Sequence, residues 1–182
     1  MKLKLINFGL FQIGWFACVL SAAQGASWIG LMAVIVIATY HLVISSQPRQ
    51  ELLLLLFAAL VGLIWESLLV WQGLLVFNSG MLLSDLAPYW IVAMWVLFAT
   101  TLNLSLRWFK ERLLVSMVFG ALGGPLAYFA GARLGAVIMP DQVTALLVIG
   151  IGWALLTPLL ILLSRKFDGF VSPPQIQRVS YV

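Results

Sequence analysis

Residues 51–72 read ELLLLLFAALVGLIWESLLVWQ, and this stretch decides the fold class. It contains 22 residues, of which two, Glu51 and Glu66, carry a charge. A helix needs about 20 mainly apolar residues to cross the roughly 30 Å of hydrocarbon in a bilayer. A spanning segment must be helical because lipid offers no hydrogen-bond partner to an open backbone. The stretch therefore predicts a transmembrane helix.

Five further apolar stretches flank this one. The composition agrees, because 63% of the residues are hydrophobic, 9% are charged and the mean hydropathy is +1.10. Such a chain has too little polar surface to cover a water-soluble protein of its size. We predict an all-α integral membrane protein, with a bundle of six transmembrane helices in residues 1–166 and a flexible cytoplasmic tail in residues 167–182. The predicted spans are 5–23, 26–45, 51–72, 87–106, 113–131 and 142–163.

Ten lysine and arginine side chains predict the topology. If all six stretches span the membrane, nine of these side chains fall on one side and Arg133 falls on the other. By the positive-inside rule, both termini are then cytoplasmic. The net charge of +4 is concentrated in short loops beside the membrane, where insertion bias and anionic lipid explain it. We therefore expect membrane lipids as partners and no nucleic acid.

Glu66 is the first candidate for a ligand-binding residue. An acid inside a span is energetically costly and usually faces protein or trapped water. At about 100° per residue, Gly62 and Gly73 lie on the same face as Glu66, and small residues permit close helix packing. We expect Glu66 to point into the outer half of the bundle, with Gln72 near the exit, and Glu66→Lys to be far more harmful than Glu51→Lys at the cytoplasmic interface. The alternative is a protonated acid that is hydrogen-bonded to a neighbouring helix.

The fifth span contains a run of small residues that ends at an arginine. Pro125 removes a backbone donor, while Gly123 and Gly124 let another helix or a ligand approach the backbone. The helix is therefore either interrupted at a binding site or closely packed through Gly120 and Gly124. Arg133 could pair with an acid or hold a carboxylate or phosphate of a ligand. Its alternative role is to extend to the lipid headgroups.

Eight tryptophans fall into two groups. Four lie near span ends, as in the aromatic belts at membrane interfaces: Trp28, Trp71, Trp90 and Trp108. Four lie deeper and either fill the core or line an apolar pocket: Trp15, Trp65, Trp95 and Trp153. We predict a pocket in which Trp65, Trp95 and Tyr128 accompany Glu66.

The connection over residues 73–86 is too apolar for a free loop. It predicts a short re-entrant or interfacial segment on the outer side, which could act as a lid.

The usual signatures of catalysis are missing from the sequence. Asn7, His41 and Asn103 come from three helices at comparable depth on the cytoplasmic side, but a single histidine does not make a metal site. The chain contains no Walker loop, no HExxH and no GxSxG. We predict no metal, no cofactor and no catalytic residue.

Several motifs resemble those of a known family over about residues 5–165. The motifs are Asn7-Phe8, Phe11-Gln12, Trp15-Phe16, Trp65-Glu66-Ser67, Pro88-Tyr89-Trp90, Gly124 to Tyr128 and Gly131 to Ala136. They resemble a family of uncharacterised small bacterial inner-membrane proteins that contain a domain of unknown function. The resemblance implies genes near those of cyclopropane-fatty-acid-synthase-like methyltransferases and hence a lipid-related process, but it implies no activity.

Three functions are consistent with these features. The leading hypothesis is a protein that binds, or helps to transport, a lipid or small molecule in an outward-facing intramembrane pocket. Its size resembles that of the substrate-binding subunits of energy-coupling-factor transporters, which would imply partner membrane subunits. Gly14, Cys18 and Ser21 on the first helix offer either a docking surface for such a subunit or an internal packing surface. The alternatives are a lipid-modifying enzyme that uses Glu66 and a scaffold for lipid enzymes.

Overall fold

A computed structural model describes residues 2–83 and 85–171 of the chain. The described chain is helical, as the sequence predicted, and a 3₁₀ helix at Arg107–Glu111 lies between the fourth and fifth helices. The six α-helices are α1 (Lys2–Ala23), α2 (Trp28–Ile44), α3 (Pro48–Trp71), α4 (Tyr89–Leu102), α5 (Leu113–Arg133) and α6 (Gln142–Lys166).

Local sequence signals set the helix boundaries. Gly25 adopts a φ of +74° in the turn after α1, a conformation that glycine adopts without strain. Pro48 occupies the first turn of α3, where its missing N–H costs nothing. Asp141 caps α6, because its carboxylate accepts a hydrogen bond from the Thr144 N–H at 3.2 Å.

Four helices, α1, α3, α5 and α6, are long and apolar enough to cross a membrane. This finding indicates a membrane protein. The other two, α2 with 17 residues and α4 with 14 residues, are shorter apolar helices. The count of six crossings therefore stays a prediction.

The fourth predicted span, 87–106, is longer than the helix that lies there, since α4 covers Tyr89–Leu102. At about 1.5 Å per residue, its 14 residues extend about 21 Å. This helix is nevertheless central to the bundle, because ten of its residues are buried among α1, α2, α3 and α6.

The helices pack as neighbours in three pairs, α1 with α2, α3 with α4, and α5 with α6. The central helix α4 also packs against α1 and α2. In contrast, α1 and α5 are not extensively packed against each other. This separation leaves a cleft between them.

Hydrogen bonds show which helix ends lie together. At one end, the Asn7 amide of α1 donates to the Thr100 carbonyl of α4 at 3.1 Å, and Lys110 donates to the Ser164 carbonyl of α6 at 3.0 Å. We call this the basic end, because the cations near the ends of α1, α3, α4 and α6 lie there. At the opposite end, Ser27 and Tyr89 share a hydrogen bond of 2.8 Å. Lys2 and the segment after α6 are therefore at the same end of the bundle.

The connection 73–86 covers the opposite end of the bundle. Leu75 and Phe77 are buried, and Val76 pairs with Ile138 in an isolated antiparallel bridge. Ser79 donates to the Ala22 carbonyl at 2.9 Å and accepts, through its own carbonyl, a bond from the Trp90 indole at 3.1 Å. The first half of the connection is thus packed on the bundle, whereas Met81, Leu82 and Leu83 are exposed. A re-entrant position in lipid stays a prediction.

Candidate functional site

Glu66 is completely buried in the centre of the bundle. One carboxyl oxygen, Oε1, accepts hydrogen bonds from the Trp95 indole at 2.9 Å and from the Tyr128 hydroxyl. These two donors belong to α4 and α5, so the acid of α3 links three helices. The other oxygen, Oε2, has no hydrogen-bond partner among the described residues. The inward placement of Glu66 is confirmed, while a role in ligand binding stays a prediction.

Aromatic rings surround this carboxyl group and pack onto glycines. Trp95 stacks on Trp153 with ring centroids 4.7 Å apart and planes 27° from parallel. A Cβ at Gly62 would collide with the Trp95 ring, and one at Gly152 would collide with Trp65. Glycine at both positions therefore makes room for an indole ring inside the bundle. Of the predicted pocket residues, Trp65 lies in this packing and not on the cavity described next.

A cavity of about 400 Å³ lies between α1 and α5, with α4 and Trp153 behind it. It extends along the helices from Phe8 and Ser105 near the basic end to Val19 near the opposite end. Its wall contains the side chains of Trp95 and Tyr128. The lining is almost entirely aliphatic and aromatic, and no described Asp, Glu, Lys, Arg or His belongs to it.

The rim of the cavity is made of exposed apolar side chains. Phe8 and Phe16 on α1 are 53% and 48% exposed, and Phe119 and Leu126 on α5 are 44% and 66% exposed. Because these residues face outward from the bundle, the cavity opens sideways between α1 and α5. The sequence predicted an outward-facing pocket in the outer half, whereas this cavity extends along the helices and opens at the side of the bundle.

The acid does not line the cavity. Trp95 and Tyr128 lie between Glu66 and the cavity, and Glu66 accepts a hydrogen bond from the Trp95 indole and from the Tyr128 hydroxyl. Glu66 therefore shapes the cavity wall from behind. At this point the cavity wall is aromatic, and the carboxyl group of Glu66 is not part of the lining.

Two predicted site residues lie elsewhere. Arg133 is exposed at the end of α5, with its guanidinium carbon 5.1 Å from the centroid of the Phe129 ring. Among the described residues no acid pairs with it, so the expected ion pair is not found. Gln72 is exposed at the end of α3. Neither side chain joins Glu66.

The glycine run of the fifth helix is explained by packing. α5 continues through Pro125 as one helix, and a Cβ at Gly120 or Gly124 would collide with Trp153 of α6. The structure therefore has close packing at Gly120 and Gly124, and the helix is continuous through Pro125. Gly123 differs, because it lines the cavity and a Cβ there would meet only Phe119, at 3.9 Å.

The small residues of the first helix also pack inside the bundle. A Cβ at Gly14 would lie 2.7 Å from Leu97, and one at Gly30 of α2 would lie 3.0 Å from the Ser21 hydroxyl. Cys18 is buried as well. This surface is used for internal packing, so it is not free to dock a partner subunit.

A second buried acid, Glu51, lies at the basic end. It is fully buried and accepts hydrogen bonds from Asn103 at 2.6 Å and from the Gly169 N–H at 2.7 Å. Its other oxygen is 2.7 Å from His41 Nε2. The expectation that Glu51 lies at a tolerant interface is wrong. Helical periodicity could have revealed it, because Glu51 and Glu66 are both among the buried positions that repeat every three or four residues along α3.

Glu51 and Asp168 attach the segment 167–171 to the bundle. Asp168 pairs with Arg107 at 2.6 Å and with Lys110 at 2.7 Å. Burial raises the pKa of Asp168, but hydrogen bonds from Lys110, the Phe170 N–H and Arg107 outweigh burial and leave the pKa below its ordinary value. The predicted flexible tail, 167–182, is therefore wrong for residues 167–171, and its remainder lies outside the described residues.

The fold and the cavity define a class, a helical membrane protein with an apolar cavity that opens between two helices. The comparisons give the family. Residues 4–159 match the family described as "Protein of unknown function (DUF2878)", and the chain belongs to it. The resemblance stated from the motifs is confirmed to this extent. No curated protein and no solved structure matches the chain significantly.

Charge reversal should be equally harmful at the two buried acids. Each of Glu51→Lys and Glu66→Lys removes the acceptor of the surrounding hydrogen-bond donors and buries a cation that has no acid beside it. Removing one partner of a buried pair lowers the free energy of unfolding by about 3–5 kcal/mol. We expect both variants to lose most of their folded yield, measured by size-exclusion chromatography of the detergent-solubilised protein. The control is Glu111→Lys, since Glu111 is exposed at the end of the 3₁₀ helix. Wild-type yield for Glu51→Lys would contradict the buried network.

Acid should weaken the attachment of the segment 167–171. The pKa of Asp168 is lower in the folded state than in the unfolded state, where it is about 3.9. Asp168 therefore contributes to the free energy of unfolding above about pH 3.9, and this contribution is lost as the pH falls through the folded-state pKa. We expect Asp168→Asn to reduce stability by about 1 kcal/mol at neutral pH, and the difference to shrink below about pH 4. Thermal unfolding of both proteins between neutral and acidic pH measures this. A difference that does not change with pH would refute it.

Proposed function

We propose that this protein binds an apolar lipid or small molecule in the cavity between α1 and α5. In this proposal it is a bacterial inner-membrane protein whose six helices all cross the membrane, with both termini cytoplasmic. The observation that carries the proposal is a cavity of about 400 Å³, lined by apolar side chains, that opens sideways between two helices. Ligand sites have volumes of about 300–1,000 Å³ and are mostly apolar, with few polar groups.

The size of the cavity limits what it can hold. Along α1 it extends from Phe8 to Val19, which is about 17 Å at 1.5 Å per residue. Its volume is near the lower limit for small-molecule sites. A single hydrocarbon chain or a small ring system fits this description better than a whole two-chain lipid does.

The opening supports entry from the bilayer. The rim residues Phe8, Phe16, Phe119 and Leu126 are exposed and apolar, so a hydrophobic molecule would pass them without leaving an apolar environment. A ligand taken up in this way agrees with the lipid-related process that the family resemblance implies. Transport with the help of partner subunits is a further step of the proposal, and such partners would dock on a surface other than the buried face of α1.

Glu66 has a positioning role in this proposal. It holds the Trp95 indole and the Tyr128 hydroxyl, and both rings form the cavity wall. A fixed aromatic wall lowers the entropic cost of binding, because the wall is already ordered before the ligand arrives. A lipid-modifying enzyme would instead need a reactive group in the cavity, and Glu66 lies behind its wall.

Filling the cavity should abolish ligand retention without unfolding the protein. Gly123→Phe places a ring in the cavity, where a Cβ meets little resistance. The matched control is Gly9→Phe on α1, since a Cβ at Gly9 has no neighbour within 4 Å and Gly9 does not line the cavity. We expect native mass spectrometry with lipidomics to find a specific hydrophobic molecule on the wild type and on Gly9→Phe, and at least tenfold less on Gly123→Phe.

Two results would contradict this proposal. One is a wild-type protein that retains only the bulk lipids that any solubilised membrane protein carries. The other is a folded Gly123→Phe variant that retains the same molecule as the wild type, which would place the ligand elsewhere.

A further inference from the structure

Gln12 is a polar side chain at the middle of the cavity. It is exposed, it lines the cavity together with Phe8 and Phe16, and it lies ten residues after the start of α1 at Lys2. At 1.5 Å per residue this is about 15 Å along the helix, near its midpoint. No described residue forms a hydrogen bond with its amide.

Most other polar groups of the cavity wall differ from Gln12 in this respect. Five of them have partners within the protein: Tyr128 and Trp95 donate to Glu66, Trp90 donates to the Ser79 carbonyl, Thr101 donates to the Phe98 carbonyl, and Ser105 donates to Asn7. The indole N–H of Trp153, which also lines the cavity, is buried and has no hydrogen-bond partner among the described residues. An indole offers a single donor, whereas the exposed Gln12 amide offers both donors and an acceptor. The Gln12 amide can be satisfied only by something outside the described part of the chain.

An amide at this depth has no partner in lipid. Hydrocarbon offers no hydrogen bond, so a polar side chain in mid-membrane that faces neither protein nor water is costly and usually functional. An intact phospholipid keeps its headgroup and esters near the interface and would present only methylene groups to Gln12. A charged ligand is also disfavoured, because the described lining contains no charged side chain to pair with it.

We propose that the ligand is a neutral, mainly hydrocarbon molecule with a carbonyl or hydroxyl group within its apolar length, and that Gln12 binds this group. The inference rests on the proposed function, since it assigns the ligand class of the same cavity. The amide N–H of Gln12 donates to a carbonyl oxygen, and its carbonyl accepts from a hydroxyl. One such bond in an apolar site should favour the functionalised molecule roughly five- to tenfold over the plain hydrocarbon.

The test is a competition between two probes in the intact protein. Detergent-solubilised protein is equilibrated with an equimolar mixture of a straight-chain alkane and the ketone of the same length with its carbonyl at the middle carbon. Gas chromatography with mass spectrometry then quantifies what the washed protein retains, and Gly123→Phe supplies the background. We expect the wild type and the control Gln72→Leu to favour the ketone, and Gln12→Leu and Gln12→Met to lose this preference while they still bind the alkane.

The outcomes separate the two proposals. If the wild type binds neither probe above background, the proposed function fails, and this inference fails with it. If the wild type binds both equally, or if the Gln12 variants keep the ketone preference, only the assignment of Gln12 is overturned. The assignment is also overturned if the wild type is a dimer that Gln12→Leu converts to a monomer, because the amide would then bind a second copy of the chain.

Discussion

The burial of the Glu66 carboxyl group within apolar helices constrains the rest of the bundle. A carboxyl group in such surroundings must find its partners within the protein. Here it finds them on two other helices, in the Trp95 indole and the Tyr128 hydroxyl. These bonds fix the orientation of two large rings, and the glycines that face the rings let the helices approach. The same two rings form part of the cavity wall. The hydrogen bonds of Glu66 therefore both link the helices and shape the cavity.

A second buried acid constrains the basic end of the bundle in the same way. Glu51 is enclosed by His41, Asn103 and the backbone of Gly169, so the chain must return after α6 to satisfy it. Asp168 strengthens this return by pairing with the 3₁₀ helix. Removing one partner from a buried hydrogen-bonded network costs more free energy than forming the network contributes. Such a network therefore favours a single arrangement of the helix ends. The opposite end is closed by the packed connection after α3, whereas the side between α1 and α5 stays open.

The sequence predicted features that depend on local pattern. Apolar length located all six helices, and helical periodicity placed Glu66 inside the bundle and small residues at helix contacts. It did not predict Glu51, because its position near a span end looked like an interface and its partner Gly169 is distant in sequence. Nor did it predict the cavity, which depends on a distance between helices that do not pack together. Arg133 and Gln72 were grouped with Glu66 by depth alone, and depth does not determine which side of a helix faces the site.

The most direct test of the cavity is an experimental structure of the protein in lipid nanodiscs, with a bound antibody fragment to add mass. The account predicts that α1 and α5 remain apart and that elongated density lies between them, along Phe8 to Val19 and beside the Trp95 and Tyr128 rings. A structure in which α1 packs directly against α5, with the cleft closed and no density between the helices, would contradict it.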